Sequence, residues 1–353
     1  MSEETQPEMM GIDPEKYEQV DLPFFMEHFD DFLPDTIYDI HLHLNLEEHC
    51  APVSGEAKLN NWPSAVPRHF PAEHMMDVQH KLFPGRKTGT LAFTSPNPQN
   101  NLVALNHYVG QMAAEYDEID ALYVVSPYQS PDMLEKIIRE GGFLGLKPYM
   151  GMATHIADVN DVRIDDYLPP AQRQLADDMG LIVMLHIPGL ERLRDPNTIA
   201  DLKRIRRDYP NIKLVIAHIG RAYTITFGKP GLEALADVEG IYYDFSANMN
   251  EEVIELALRL IGPEHVCYGS DNPIFLMRGM RETDGDRYIN FTSEPYPWNT
   301  DRKPPEVEAK YTFYIYEELL AFKNAALRVG LGADDVARVM YANAHELIAD
   351  VKP

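Results

Sequence analysis

Two histidines separated by a single residue lie in a predicted strand near the start of the chain. His41 and His43 belong to residues 36–44, where apolar and polar side chains alternate among β-branched and aromatic residues. Side chains of a strand alternate between its two faces, so both imidazoles point to the same side. Neutral imidazole is a good ligand for zinc and related ions. The pair predicts a metal site if further ligands converge on it, and two ordinary strand histidines if none do.

Four more side chains with useful chemistry stand at or near the ends of other predicted strands. The strands are short apolar runs at residues 90–93, 121–126, 143–149, 181–186, 213–218, 241–245 and 265–269. The four side chains are Lys147 near the end of the fourth strand, His186 at the end of the fifth, His218 at the end of the sixth and Asp271 just after the eighth.

Helical patterns separate most of these strands. Apolar residues recur at three- and four-residue spacing in residues 101–116, 131–140, 165–179, 197–209, 251–261, 309–329, 333–341 and 343–350. Alternating strands and helices imply a parallel sheet, and eight strands predict a closed (β/α)8 TIM barrel of the α/β class. The alternative is an open, doubly wound sheet, but no glycine-rich dinucleotide fingerprint follows an early strand.

A closed barrel would bring the candidate side chains together. It places the eighth strand beside the first, so that Asp271 approaches His41 and His43. Barrels of this type build their active sites at the carboxyl ends of their strands, which is where His186 and His218 also lie. We therefore predict a metal centre in the barrel mouth, in preference to a polar plug that merely satisfies its own hydrogen bonds.

The predicted domain organisation is an N-terminal arm at residues 1–34 followed by one barrel domain at residues 35–353. The barrel carries long insertions at about 45–85 and 276–308. The second insertion begins five residues after Asp271 and mixes arginines with aromatic residues. We expect it to cover the site, and a subunit contact is the alternative, because the same residue types are enriched at interfaces.

Composition excludes several classes of partner. Among 353 residues, 31 are basic and 56 are acidic, giving a net charge of −25 that disfavours nucleic acids and anionic membranes. Two cysteines, Cys50 and Cys267, are too few for a disulfide framework and fit free thiols in a reducing compartment. The first ten residues lack the apolar core of a secretory signal, and no apolar run approaches a membrane span. We expect a cytoplasmic protein, and a homo-oligomer is possible.

The polar motifs resemble those of the amidohydrolase superfamily, in the branch that includes aminocarboxymuconate-semialdehyde decarboxylase and related lactonases and hydrolases. The resemblance extends over residues 35–275 and rests on Asp39-Ile-His41-Leu-His43, Gly142-Phe-Leu-Gly-Leu-Lys147, Met184-Leu-His186, Ala217-His218-Ile-Gly220 and Tyr268-Gly-Ser-Asp271.

The resemblance implies a set of roles. His41, His43, His186 and Asp271 would hold one divalent metal ion. Zinc is the first expectation, and manganese or another divalent metal is the alternative. His218 would lie beside the ion and bind its water or a substrate oxygen. Such an ion lowers the pKa of a bound water from about 15.7 towards about 7, and Asp271 can then take its proton and pass it on.

Three further residues are predicted to contact substrate. Lys147, Tyr149 and Arg221 follow the ends of the fourth and sixth strands, where cationic and hydroxyl groups can bind an anion. Lysine at this position bridges two metal ions as a carbamate in the dinuclear members of the superfamily, so that role remains the alternative for Lys147. Packing within the loops is the alternative for Tyr149 and Arg221.

The sequence analysis therefore predicts a metal-dependent hydrolase that opens a lactone or amide bond of a small-molecule substrate with a metal-activated water. The first alternative is a non-oxidative zinc decarboxylase of an unsaturated or aromatic carboxylate. The second is a barrel that binds a metal or ligand without catalysis. The spare histidine at position 218 argues against the second, because a purely structural site has no need of it.

Overall fold

The computed structural model describes residues 12–52, 68–294, 299 and 301–351. Parts of the predicted N-terminal arm and of both predicted insertions lie outside the described residues, namely 1–11, 53–67, 295–298 and 300.

Eight parallel strands form the predicted barrel, and each pairs with the next one along the chain in the order β1 to β8. Most residues of the eight strands are buried, as expected for strands enclosed by helices. The strands are β1 Thr36–His43, β2 Lys87–Phe93, β3 Ile119–Val124, β4 Gly145–Lys147, β5 Ile182–Leu185, β6 Lys213–Ile216, β7 Ile241–Asp244 and β8 Val266–Cys267.

The cylinder closes where the residues following β8 meet β1. Ile40 N donates to Tyr268 O at 3.0 Å, and Asp271 N donates to His41 O at 2.8 Å. Gly269 permits this approach, because a Cβ at that position would lie 2.8 Å from the His41 Cβ. Main-chain pairing at this seam therefore places Asp271 directly beside β1, as the sequence predicts.

The described helices surround the barrel and pack apolar faces against the strands. Apart from Pro14–Lys16, Leu22–His28 and the single turn His218–Arg221, the described α-helices are Ala72–Leu82, Leu102–Glu115, Pro131–Gly141, Ile164–Tyr167, Pro170–Asp178, Pro196–Asp208, Ile225–Leu235, Glu251–Leu260, Pro305–Glu308, Tyr314–Val329, Ala333–Ala337 and Asn343–Ala349. None of the helices in the described part of the chain is long and apolar enough to cross a membrane.

Three helices differ from the sequence predictions. Ala72–Leu82 lies within the predicted insertion at about 45–85, where no helix is predicted. Ile225–Leu235 forms despite Pro230 in its interior. The single helix predicted at 165–179 is instead two helices that meet near Pro169 and Pro170. Proline disfavours helical geometry in the residue before it and has no N–H to donate, which explains this break.

The described part of the N-terminal arm packs on the barrel. Leu22–His28 buries Phe25, and Phe24 stacks on Tyr316 of the helix Tyr314–Val329 with ring centroids 6.1 Å apart. This contact fixes the arm against the helix that follows β8.

The second insertion contains a two-stranded antiparallel hairpin, formed by β9 Gly279–Asp284 and β10 Arg287–Thr292. Arg281 of the hairpin donates to Ala247 O at 2.6 Å, and Asn250 donates to Thr283 Oγ1 at 3.2 Å. Ala247 and Asn250 follow β7, so the hairpin lies against a loop at the carboxyl end of the barrel.

Candidate metal centre

His41 and His43 occupy the carboxyl end of β1 and are buried. The pairing of β1 with β2 shifts register between Asp39 and Leu42, which is the irregularity of a β-bulge. Phe93 at the end of β2 packs against both imidazoles, with ring centroids 5.1 Å from His41 and 4.7 Å from His43. Burial lowers the pKa of His41 well below its usual range, which favours the neutral imidazole that binds metals.

Asp271 reaches both β1 histidines. Its Oδ1 lies 3.1 Å from His43 Nε2 and 3.4 Å from His41 Nε2. Burial raises the pKa of Asp271, but the hydrogen bond to His43 and the nearby imidazoles outweigh burial and bring the pKa down to about 2. The carboxylate is therefore ionised at neutral pH and available as a ligand.

His218 enters the mouth from an unusual turn after β6. The four residues His218, Ile219, Gly220 and Arg221 all have left-handed backbone angles, with φ of 57°, 47°, 64° and 59°. This region is strained for residues with a Cβ, and such strain concentrates at functional sites. The turn brings the His218 ring within 4.7 Å of the His41 ring, measured between centroids.

His186 follows β5, and its ring centroid lies 5.2 Å from that of His218. The Tyr149 ring also packs against the His186 ring, with ring centroids 4.8 Å apart. Burial lowers the pKa of His186 well below its usual range, and the charge of Arg221 lowers it further. The Nδ1 atom of His186 has no hydrogen-bond partner within the described residues, so it offers a free donor or acceptor in the site.

Lys147 ends β4 and is buried in the mouth. Its ammonium lies 3.5 Å from His41 Nε2 and 4.5 Å from the centroid of the Phe93 ring. Burial lowers the Lys147 pKa to about 8, although the charges of Asp244 and Asp271 raise it. The predicted substrate-binding lysine is thus directly beside the predicted metal ligands.

Arg221 is anchored to the loop after β5 rather than free in the mouth. Its guanidinium donates to Ile187 O at 3.2 Å and to Gly189 O at 3.1 Å. Its charge still influences the pKa of His186 and of Tyr149, which places it near both.

Two residues that sequence reasoning missed lie beneath the histidines. Asp244 ends β7, and its Oδ2 is 3.0 Å from His41 Nδ1. Ser246 follows two residues later, and its hydroxyl oxygen lies 2.9 Å from His218 Nδ1. The rule that identified His218 applies equally to Asp244, since both stand at the carboxyl end of a barrel strand.

Asp39 and Ser270, which belong to the quoted motifs, stabilise the seam of the barrel. Asp39 accepts hydrogen bonds from the backbone and hydroxyl of Ser270, and from Gln79 of the helix Ala72–Leu82. Burial raises the Asp39 pKa to about 7 despite these bonds. Asp39 also accepts from the backbone N–H of His41 at 3.0 Å, so it joins β1 to the residue before Asp271.

The arrangement could hold one metal ion. One nitrogen of His41, one nitrogen of His218 and one oxygen of Asp271 all lie within 4.8 Å of one another. Ligands held about 2.0–2.2 Å from one ion lie about 3–3.5 Å apart, and the separations of Asp271 Oδ1 from His41 and His43 fall within this range. The donor set of neutral imidazoles and one carboxylate suits zinc and neighbouring divalent metals.

An eight-stranded parallel barrel with imidazoles, a carboxylate and a buried lysine converging at its carboxyl end defines a barrel enzyme. The amidohydrolase family model matches residues 38–348, and the chain belongs to that family. The protein is therefore an enzyme of the amidohydrolase class, which includes hydrolases and decarboxylases. No curated protein matches the sequence.

Solved structures share the fold at low sequence identity. A 5-carboxyvanillate decarboxylase from Novosphingobium aromaticivorans, complexed with manganese and 4-hydroxy-3-methoxy-5-nitrobenzoic acid, is 11% identical with a TM-score of 0.56, over 91% of this chain and 97% of that chain. A 2,6-dihydroxybenzoate decarboxylase complexed with 2,6-dihydroxybenzoate is 11% identical with a TM-score of 0.53, over 90% and 100%. An amidohydrolase from Burkholderia multivorans is 12% identical with a TM-score of 0.56, over 89% and 99%.

Proposed function

We propose that the protein is a metal-dependent, non-oxidative decarboxylase of a small aromatic or unsaturated carboxylate. The observation that carries the proposal is the buried ammonium of Lys147, which lies 3.5 Å from His41 Nε2 and packs on Phe93. A fixed cation beside a metal site and an aromatic ring suits a substrate that combines a carboxylate with a flat unsaturated system. The known decarboxylases of the same fold act on substrates of this kind.

In this proposal His41, His43, His186 and Asp271 hold one divalent ion, zinc or manganese. When bound, the ion supplies a Lewis-acid charge that polarises an oxygen of the substrate. Two groups of the chain, Asp271 and His218, lie close enough to the same point to carry a proton. Lys147 holds the substrate by its charge, and Arg221 adds a second positive charge behind His186.

The reaction breaks the bond between the carboxylate and an unsaturated carbon. The electron pair of that bond stays on the carbon, carbon dioxide leaves, and a proton takes the vacated position. No oxidant or reductant is consumed. The proton comes from solvent and passes through Asp271 or His218, which must first take it up, because the Asp271 carboxylate is ionised at neutral pH. Rings such as Phe93 and Tyr149 shield the mouth from bulk water.

Product analysis separates this function from the hydrolase that the sequence analysis puts first. Metal-loaded protein is incubated with a panel of hydroxylated aromatic carboxylates and with a panel of lactones, while carbon dioxide and acid release are both followed. We expect carbon dioxide from at least one aromatic carboxylate. Acid release from lactones without carbon dioxide from any carboxylate would replace the proposal with the hydrolase.

A matched pair of lysine variants links the activity to the site. Lys147→Met should abolish turnover of the carboxylate, because it removes the cation that holds the substrate. Lys213→Met is the control, since Lys213 begins β6 at the opposite end of the barrel. A Lys147→Met variant with undiminished activity would show that the buried cation does not hold the substrate.

A further inference from the structure

We infer that Asp244 positions His41 directly and His218 through its backbone N–H and through Ser246, and that both rings are held in the tautomer whose Nε2 is unprotonated and faces the site. The two oxygens of its carboxylate serve the two histidines separately. The orientation of the two rings does not depend on the proposed function. Its consequence for metal affinity does rest on the proposed metal centre.

The tautomer of His41 follows from two independent partners. Its Nδ1 lies 3.0 Å from Asp244 Oδ2, and an ionised carboxylate can only accept, so Nδ1 carries the proton. Its Nε2 lies 3.5 Å from the ammonium of Lys147, which can only donate. Asp271 Oδ1, a second acceptor, lies 3.4 Å from Nε2, so the two carboxylates compete for the one ring proton. The shorter contact of Asp244 with Nδ1 and the ammonium of Lys147 beside Nε2 both favour the proton on Nδ1 and a bare lone pair on Nε2. A carboxylate behind a histidine ligand is the common way in which proteins orient such a ligand.

The tautomer of His218 follows from a backbone carbonyl. Its Nδ1 lies 3.1 Å from Ser246 O, which can only accept, so Nδ1 is again the protonated atom. The Ser246 hydroxyl lies 2.9 Å from the same nitrogen and donates its own proton to Asp244 Oδ1. The network therefore leaves His218 Nε2 as an acceptor.

The second oxygen of Asp244 also supports the strained turn that carries His218. Asp244 Oδ1 accepts from the backbone N–H of His218 at 2.9 Å and from that of Ser246 at 3.1 Å. His218 begins four consecutive residues with positive φ, a conformation that needs support from its surroundings. Asp244 is the last residue of β7, and the neighbouring strand β6 leads into the turn. The pairing of β6 with β7 therefore places the Asp244 carboxylate next to the turn that carries His218.

This arrangement has a chemical consequence for His218. A neutral ring with its proton on Nδ1 can bind a metal ion or accept a proton through Nε2, but it cannot donate a hydrogen bond there. His218 must therefore take up a proton before it can act as a donor to a substrate oxygen. Asp244 touches neither substrate nor metal in this account, and it is a positioning residue.

Nitrogen NMR of the full-length, metal-free protein tests the inference directly. Histidine is labelled with ¹⁵N in the rings, and His41→Gln and His218→Gln variants assign the two sets of signals. We expect the proton on Nδ1 and a bare Nε2 in both rings. A proton on Nε2 of either ring would overturn the inference. The measurement needs neither metal nor turnover, so its outcome is independent of whether the enzyme is a decarboxylase.

Asp244→Asn tests the double role through metal affinity. The asparagine side chain has one oxygen that accepts and one NH2 group that donates. Its NH2 group must therefore face an N–H donor, either that of His41 Nδ1 or the backbone N–H of His218, and that hydrogen bond is lost. We expect zinc or manganese affinity to fall by about 10- to 100-fold in a chelator competition. Asp177→Asn is the control, because Asp177 accepts hydrogen bonds from Asn211 near the start of β6, away from the mouth.

The two variants must be compared with the melting temperature of their metal-free forms. Weaker metal binding by Asp244→Asn with a melting temperature close to that of Asp177→Asn supports positioning. Affinity within twofold of the unmodified protein overturns it. If Asp244→Asn does not fold, the NMR experiment on the unmodified protein still decides the tautomers. Ser246→Ala then tests the His218 half: we expect the Nδ1 signal of His218 to shift more than that of His41, because the Ser246 hydroxyl lies 2.9 Å from His218 Nδ1 and 3.4 Å from His41 Nδ1.

Discussion

Arg278 and Asp21 form a buried ion pair that joins the N-terminal arm to the start of the second insertion. Asp21 also accepts a hydrogen bond from Thr312 at 2.8 Å. Arg278 lies one residue before the hairpin, and its guanidinium packs 4.4 Å from the centroid of the Phe313 ring. Its charge is thus committed to holding the arm and the insertion together. This pairing differs from the ligand-binding role that we expect of arginines in a cover over the site.

The hairpin Gly279–Thr292 is the part of the insertion that we expect to act as a cover. Tyr288 packs on Tyr223, which lies five residues after His218, with ring centroids 5.2 Å apart. Replacing residues 279–292 with a short Gly-Ser link, while keeping Arg278, should leave metal content intact. It should raise KM or abolish turnover, because the site loses a wall that excludes water. Steady-state kinetics and elemental analysis measure the two effects.

Tyr288→Ala is the milder form of this change and should raise KM by a smaller factor. Full activity of the shortened variant together with a changed oligomeric mass would show that the hairpin serves assembly instead.

One divalent ion per chain is the expected metal content. The convergence of His41, His43 and Asp271 supplies one set of ligand atoms, and Lys147 stands beside it as an ammonium. Elemental analysis of protein purified without added metal measures the stoichiometry, and intact mass measures the lysine. Two ions per chain, or the added mass of a carbamate on Lys147, would instead indicate a dinuclear site.

Asp271→Asn and His218→Ala separate ligand from proton carrier. We expect Asp271→Asn to keep the fold and part of the metal but to lose turnover by about 100-fold or more, since general acid–base catalysis commonly contributes that much. His218→Ala should retain the metal and lose most activity. Metal content and kcat are measured together. Loss of the metal from His218→Ala would make His218 a ligand, which its position in the tight group with His41 and Asp271 allows.

Glu318 gives a prediction about pH and stability. It is fully buried in the helix Tyr314–Val329, and burial raises its pKa well above its usual range, with the charges of Asp244 and Asp39 adding to the rise. A carboxyl whose pKa is raised by folding stabilises the native state below its unfolded pKa of 4.5 and loses that contribution as pH rises towards the folded pKa. Above pH 4.5 this group therefore works against stability, by up to about 1.4 kcal/mol for each pH unit.

Glu318→Gln removes this ionisation. The free energy of unfolding of the variant, relative to the unmodified protein, should rise between pH 5 and pH 8 in chemical denaturation. Glu306→Gln is the control at an exposed position and should show no such trend. A constant difference between Glu318→Gln and the unmodified protein over this range would show that Glu318 does not change its protonation on folding.

Most of the candidate site could be predicted from one rule, namely that barrels of this type build their active sites at the carboxyl ends of their strands. His41, His43, Lys147, His186, His218 and Asp271 all lie at the carboxyl end of the barrel, because parallel strands in a closed barrel share one end. Asp244 could have been found by the same rule. A carboxylate behind a histidine ligand has no sequence signature of its own, so the sequence does not distinguish Asp244 from an ordinary buried aspartate.

Other features could not be predicted from local patterns. The helix Ile225–Leu235 contains Pro230, which reads as a helix breaker, but its buried glycines and leucines pack against neighbouring elements strongly enough to form it. The positive φ angles at His218 and Ile219 have no local signal either, because neither residue favours that conformation. Both features depend on tertiary contacts.

The seam between β1 and β8 brings candidate metal ligands together from distant parts of the chain. Asp271 contacts His43 across 228 residues, so these two side chains are adjacent only when the seam is closed. Closing so long a loop is slow, because its entropy is lost before the contacts that reward it have formed. An unfolded or half-folded chain therefore holds no complete site. Metal binding must then favour the finished barrel over every earlier state, by about 2.7 kcal/mol when the free ion is at 100 times its Kd.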